Sequence, residues 1–88
     1  MSYHIEFTEY ARKSLEKLDQ FTQKIILSWL RKNIEGCDDP KLHGKPLSAN
    51  RSGQWRYRVG DYRVIVMIEM EVLTVLVIAV GHRRDIYK

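Results

Sequence analysis

The sequence has little cysteine, little proline and no long apolar run. One cysteine, Cys37, stands in 88 residues. A lone thiol closes no internal disulfide and builds no cysteine-rich zinc site, which points to a reducing compartment. The start, MSYHIEFTEY, lacks a basic stretch followed by an apolar core, so no secretory signal is read from it. The longest apolar stretch, Val72 to Val80, is about half of the ~20 residues a membrane helix requires, and Thr74 interrupts it. The expectation is a cytoplasmic domain away from membranes. His4 and His43 show no metal-ligand spacing with each other or with Cys37, so neither a metal nor another cofactor is expected. Ser48 and Ser52 lack a base with an orienting partner, and no GxxxxGK-[ST] loop is present.

At 88 residues the chain is read as one domain, 1–88, with one modest core. That excludes a multi-domain enzyme and a doubly wound dinucleotide fold. The formal charge of +4 is unevenly placed. Residues 1–40 hold six Lys/Arg and seven Asp/Glu, a balance of −1; residues 41–88 hold nine and four, a balance of +5. A basic surface facing nucleic acid or another polyanion is therefore expected from the second half.

Alternation over Tyr3–Phe7 predicts a short strand, with Thr8 as the N-cap of a helix over Glu9–Leu18, whose Ala11, Leu15 and Leu18 share a face. A second helix is predicted over Phe21–Glu35 and ends at Gly36. Its apolar arc is wide: Phe21, Ile25 and Trp29 form one stripe, Ile26, Leu30 and Ile34 another. The extra width is expected to meet the first helix, the alternative being a partner protein. Cys37–Gly53 reads as one long irregular segment, and Gln54–Val59, Tyr62–Ile68 and Leu73–Val80 as three strands. The fold class is α+β: an N-terminal strand and a helical hairpin packed on one face of an antiparallel sheet, in the order β-α-α-β-β-β.

Gly60–Asp61 is a two-residue hairpin link. It sets Val59 opposite Tyr62, Arg58 opposite Arg63 and Arg56 opposite Ile65. Arg56, Arg58 and Arg63 then gather on one side, with Trp55 and Tyr57 on the other, in the core. Directly opposed like charges destabilise a sheet, and such a cost invites a functional reason. The tail adds Arg83, Arg84 and Tyr87. Guanidinium forks match phosphate oxygens, and an aromatic ring offers a base a stacking platform.

In this order YHIEFTEYA, the helical hairpin, KLHGKPL, WRYRVGDYRVIV and VIAVGHRRDIY resemble the RelE family of bacterial toxins, within the RelE/ParE superfamily. The resemblance implies a ribosome-dependent, metal-independent messenger-RNA endoribonuclease that cuts in the ribosomal A site and is held in check by a cognate, RelB-like antitoxin. It matches Arg63 in DYRV, Arg83 in GHRR and Tyr87 to the family's catalytic positions. Arg56 and Arg58 fall where the best-known member has lysines, and the tail between Arg83 and Tyr87 is shorter than in that member.

Metal-free cleavage needs a base for the 2′-hydroxyl proton, cations for the crowded phosphate and an acid for the departing 5′-oxygen. Arg63 and Arg83 suit phosphate stabilisation, Tyr87 stacking or handling of the 2′-hydroxyl proton, and Arg56, Arg58 and Arg84 phosphate positioning. Arginine is a poor base. His82 is the candidate base, against the plainer reading of a surface histidine at a strand exit. Two alternatives stand beside this reading: a ParE-like, non-nuclease inhibitor of DNA gyrase, and a small nucleic-acid-binding module without activity. An antitoxin is expected on the exposed part of the second helix, on an open strand edge or on the basic face.

Overall fold

A computed structural model describes residues 2–47 and 53–86. Strand β1 (His4–Phe7) leads into helix α1 (Glu9–Glu16) and helix α2 (Gln20–Asn33). A 3₁₀ turn (Pro40–His43) runs into β2 (Gly44–Pro46), followed by β3 (Gln54–Val59), β4 (Tyr62–Glu69), a second 3₁₀ turn (Met70–Val72) and β5 (Thr74–His82). The five strands form one sheet in the order β1-β5-β4-β3-β2. No helix among the described residues is long and apolar enough to cross a membrane.

Local chemistry sets the helix ends. The Thr8 hydroxyl accepts from the Ala11 amide at 3.1 Å and starts α1. Asp19 caps α2: one carboxylate oxygen accepts from the Thr22 amide at 3.0 Å and the other from the Thr22 hydroxyl at 2.6 Å. These bonds, the hydroxyl's first, hold the Asp19 carboxyl below the usual carboxylate range. Past Asn33 the chain turns away through Gly36, whose φ of +80° a glycine adopts without a Cβ clash.

One face of the sheet is covered. Ala11 and Leu15 of α1 and Ile26 and Leu30 of α2, with Ile34 just beyond it, meet Tyr57, Val59, Val64, Val66, Val75, Val77 and Val80, and all are buried. Burying a side chain of this size contributes about 1.5–3 kcal/mol. The buried Tyr57 hydroxyl donates to the Pro40 carbonyl at 2.7 Å and its ring lies 5.3 Å from that of Trp29. Burial, with Cys37 and Asp39 nearby, pushes the Tyr57 phenol well above its ordinary pKa.

The two-layer arrangement is the expected one, and three details refine it. First, β1 lies parallel to β5, with His4 opposite Thr74 and Phe7 opposite Val77, so the sheet is mixed. Second, β2 lies inside the segment read as irregular and pairs Gly44 with Tyr57 and Lys45 with Arg56. A Cβ on Gly44 would stand 2.8 Å from the Arg56 carbonyl oxygen and 2.9 Å from the Tyr57 ring, so only glycine permits this close approach. Third, the outer stripe of α2 does not meet α1. Phe21 and Ile25 are exposed, and with Trp29 they line a groove of about 620 Å³ flanked by Lys24 and Lys32.

Both sheet edges are blunted. On β1 the Tyr3 amide donates to the Cys37 carbonyl at 2.9 Å and the Ile5 amide to the Glu35 carboxylate at 3.0 Å. On the other side β2 is three residues long and ends in Pro46, which has no amide proton to offer.

Candidate functional site

The β3–β4 hairpin has the register its sequence predicts: Val59 faces Tyr62, Arg58 faces Arg63 and Arg56 faces Ile65. Gly60 takes a φ of +60° at the first turn position, the type II′ pattern. Tyr57 and Val59 lie in the core, so alternation sends Arg56, Arg58 and Arg63 to the uncovered face. Across β4, Arg63 is opposite Gly81 of β5, and Ile86 of the returning tail fills the space that the missing side chain leaves.

Arg63 is nearly buried, at 8% exposure, and its Nη1 donates to the Gly60 carbonyl at 3.0 Å and the Tyr62 carbonyl at 3.1 Å. Arg83 reaches the same turn from the other direction. Its amide donates to the Asp61 carbonyl at 2.8 Å, and its Nε stands 3.8 Å from the Asp61 carboxylate. Both partners of that ion pair are largely exposed, so water screens their attraction. Residues from three stretches, Arg58, Arg63 and Arg83, are thus organised around the Gly60–Asp61 tip. Beyond Arg83 the tail curls back: the Asp85 and Ile86 amides donate to the His82 carbonyl, and a Cβ on Gly81 would stand 3.2 Å from Ile86 Cδ1. Tyr87 lies outside the described residues.

Arg56 and Arg58 line a cavity of about 230 Å³ with Leu42, His43, Gly44 and Lys45. Neither His43 nor Lys45 is a site residue on sequence grounds. The signal was the pairing of GKP with β3, which puts Lys45 opposite Arg56, and three residues containing glycine and proline carry little strand propensity.

His82 and Arg84 are not brought to the arginine face. Strand β5 continues to His82, which pairs with Tyr62 and so shares the helix side of the sheet with it; the two rings meet edge-on at 5.4 Å. His82 Nδ1 accepts from the Arg84 amide at 3.1 Å. Both residues border a separate groove between the end of α1 and the end of β5, with Ser14, Lys17 and Leu18.

A small two-layer domain with a cluster of arginines on its open sheet face defines a class, and comparison with known proteins places the chain within it. The model of the ParE toxin of type II toxin–antitoxin systems matches residues 5–87. Toxin RelG of Mycobacterium tuberculosis is 33% identical over 88 residues, covering 100% of this chain and 99% of that protein. The toxin–antitoxin complex RelBE2 of M. tuberculosis superposes with a TM-score of 0.85 at 30% identity, over 97% of this chain and 95% of that one. The isolated E. coli RelE toxin shares the fold, with a TM-score of 0.73 at 22% identity over 98% and 92% of the two chains. The chain belongs to the ParE toxin family of type II toxin–antitoxin systems, within the RelE/ParE superfamily.

Proposed function

We propose that this toxin is a ribosome-dependent messenger-RNA endoribonuclease that inhibits translation by cutting in the ribosomal A site. The observation that carries the reading is the anchoring of Arg63 and Arg83 at one hairpin tip, with Arg58 directly opposite Arg63. Permanent cations arranged before the substrate arrives stabilise the charge that builds up on a phosphate under attack. Arg63 and Arg83 take that task, Arg83 nearer the departing 5′-oxygen. Arg56 and Arg58 hold the flanking backbone, and Arg84 supplies a more distant phosphate contact from its separate groove. Tyr87 stacks on a base or handles the 2′-hydroxyl proton, a role that rests on the family resemblance alone. The ribosome contributes by holding the strand in a reactive conformation, so cutting of free RNA is weak.

The partner is a RelB-like antitoxin, in keeping with the RelBE2 complex of the similar M. tuberculosis protein. Because both sheet edges are blunted, its landing places are the basic face and the Phe21–Ile25–Trp29 groove, where an acidic amphipathic segment meets Lys24 and Lys32.

The family model carries the name of ParE, so a gyrase inhibitor is the reading to be tested against. Mapping of RNA ends in purified translation reactions separates the two. The parent is expected to create new 5′ ends in translated messages, and Arg63→Ala and Arg83→Ala each to lower cutting about 10²–10³-fold while remaining folded. Inhibition of gyrase supercoiling without new RNA ends would overturn the proposal.

A further inference from the structure

We propose that His43 is the general base of the cleavage step. The inference rests on the endoribonuclease reading and supplies the group that reading lacks. Transfer through the 2′-oxygen needs an acceptor for the hydroxyl proton, and a guanidinium does not serve at neutral pH. Among the three histidines, His4 sits on β1 beside the Glu6 carboxylate at 3.3 Å, across the sheet from the arginines. His82 is turned to the helix side with Tyr62. His43 alone of the three borders a cavity shared with Arg56 and Arg58.

The backbone register explains its place. His43 ends the 3₁₀ turn directly before Gly44, which opens β2 by pairing with Tyr57, and Arg58 faces Arg63. That places His43 at the β2 edge of the sheet, on the rim of the cavity that Arg56 and Arg58 line. Two contacts bracket the residue: the Tyr57 hydroxyl holds the Pro40 carbonyl at 2.7 Å, and Gly44 presses its backbone against β3. The Trp29 ring of α2 meets the imidazole edge-on at 6.1 Å. Imidazole is the side chain whose ordinary titration spans neutral pH, which suits it to accept a proton there.

In the step itself, the proton of the 2′-hydroxyl passes to a ring nitrogen of neutral His43 and the O2′–P bond forms. The P–O5′ bond breaks, and the 5′-oxygen takes a proton from water. The products are a 2′,3′-cyclic phosphate and a 5′-hydroxyl, and the imidazolium returns its proton to solvent. No oxidant, metal or other co-reactant enters the balance.

The charged groups that share the cavity are Lys45 of β2 and Arg56 and Arg58 of β3; Asp39 and Lys41 stand at the His43 turn, and Lys24 and Lys32 border Trp29 on α2. None of these residue types ordinarily titrates between about pH 6 and 8.5, so a rate limb in that window reports the imidazole. The experiment measures single-turnover cleavage of A-site message by the parent, His43→Gln, His43→Ala and Arg63→Ala across that range, with binding to programmed ribosomes measured in parallel. The parent rate is expected to rise with pH, since a general base acts in its neutral form. Both His43 variants should lose about 10²–10⁴-fold in rate and the pH limb, with binding changed less than about threefold, and added imidazole should restore part of the His43→Ala rate. Rates within about threefold of the parent, or a loss that leaves the limb in place without imidazole rescue, overturn the inference. If the parent itself makes no cut, the endoribonuclease reading falls with it. If the parent cuts, Arg63→Ala does not and the His43 variants cut normally, only the role of His43 falls.

Discussion

The two faces of the β3–β4 hairpin are built from the same few residues and obey opposite rules. Tyr57 and Val59 look toward the helices, lose all or nearly all contact with water and pack against aliphatic neighbours. Arg56 and Arg58, one position away on the same strand, look outward among Lys45, His43 and Arg63. On the covered face neighbouring groups attract and exclude water. On the open face like charges stand opposite one another, at a cost to the sheet. The covered face supplies stability and the open face spends a little of it on preorganised charge.

The sharpest test of this division cuts the covered face. Leu30 is 1% exposed and sits between α2 and the sheet. Leu30→Ala removes three carbons and leaves a cavity, and is expected to cost about 2–5 kcal/mol of unfolding free energy. Chemical denaturation measures it directly. Toxicity should then fall with the folded fraction, while the folded molecules still cut at the parental rate; a rate defect per folded molecule would show that the two faces are coupled. A smaller effect is expected from Tyr57→Phe, which keeps the ring but strands the Pro40 carbonyl. The loss of that buried bond should cost about 1–3 kcal/mol. It also loosens the turn that carries His43, so cleavage should drop modestly with it. Stability reduced with cleavage unchanged would mean that the turn is held by Gly44 and Trp29 alone.

Much of this was legible in the amino-acid order, and the reasons are local. Gly60–Asp61 fixes the hairpin register because a two-residue link leaves no slack, and alternation then places every arginine of β3 and β4 on its face. Thr8 advertises the start of α1 through its own hydroxyl. What escaped depends on contacts between distant residues. Gly44–Pro46 becomes a strand through a close approach to Tyr57 and a bond from that residue to Pro40, and nothing within KLHGKPL announces either. The parallel seat of β1 follows from the crossover of two helices, which alternation over Tyr3–Phe7 does not encode. The side of the sheet taken by His82 was settled by two more residues of β5 than the apolar run suggests, because backbone pairing with Tyr62 continues past Val80. The stripe of Phe21 and Ile25 matched a core pattern and stayed in water, since periodicity marks an apolar face without saying what covers it.

The smallest expected effect is the most telling about the open face. Arg58 is exposed and directly opposite Arg63, whose Nη1 donates to the Gly60 and Tyr62 carbonyls at the hairpin tip. Replacing it by a β-branched neutral residue relieves the opposition without touching the core. Arg58→Thr is therefore expected to raise stability by about 0.2–1 kcal/mol at low salt, even as it weakens RNA binding. The gain should shrink when salt is added, because mobile ions already screen the parental repulsion. Thermal melts of both proteins at two ionic strengths read the difference, and RNA binding measured alongside reads the loss. A variant that is less stable than the parent at low salt would mean that the arginine contributes packing through its aliphatic arm that outweighs the repulsion, and the open face would then share in holding the fold together.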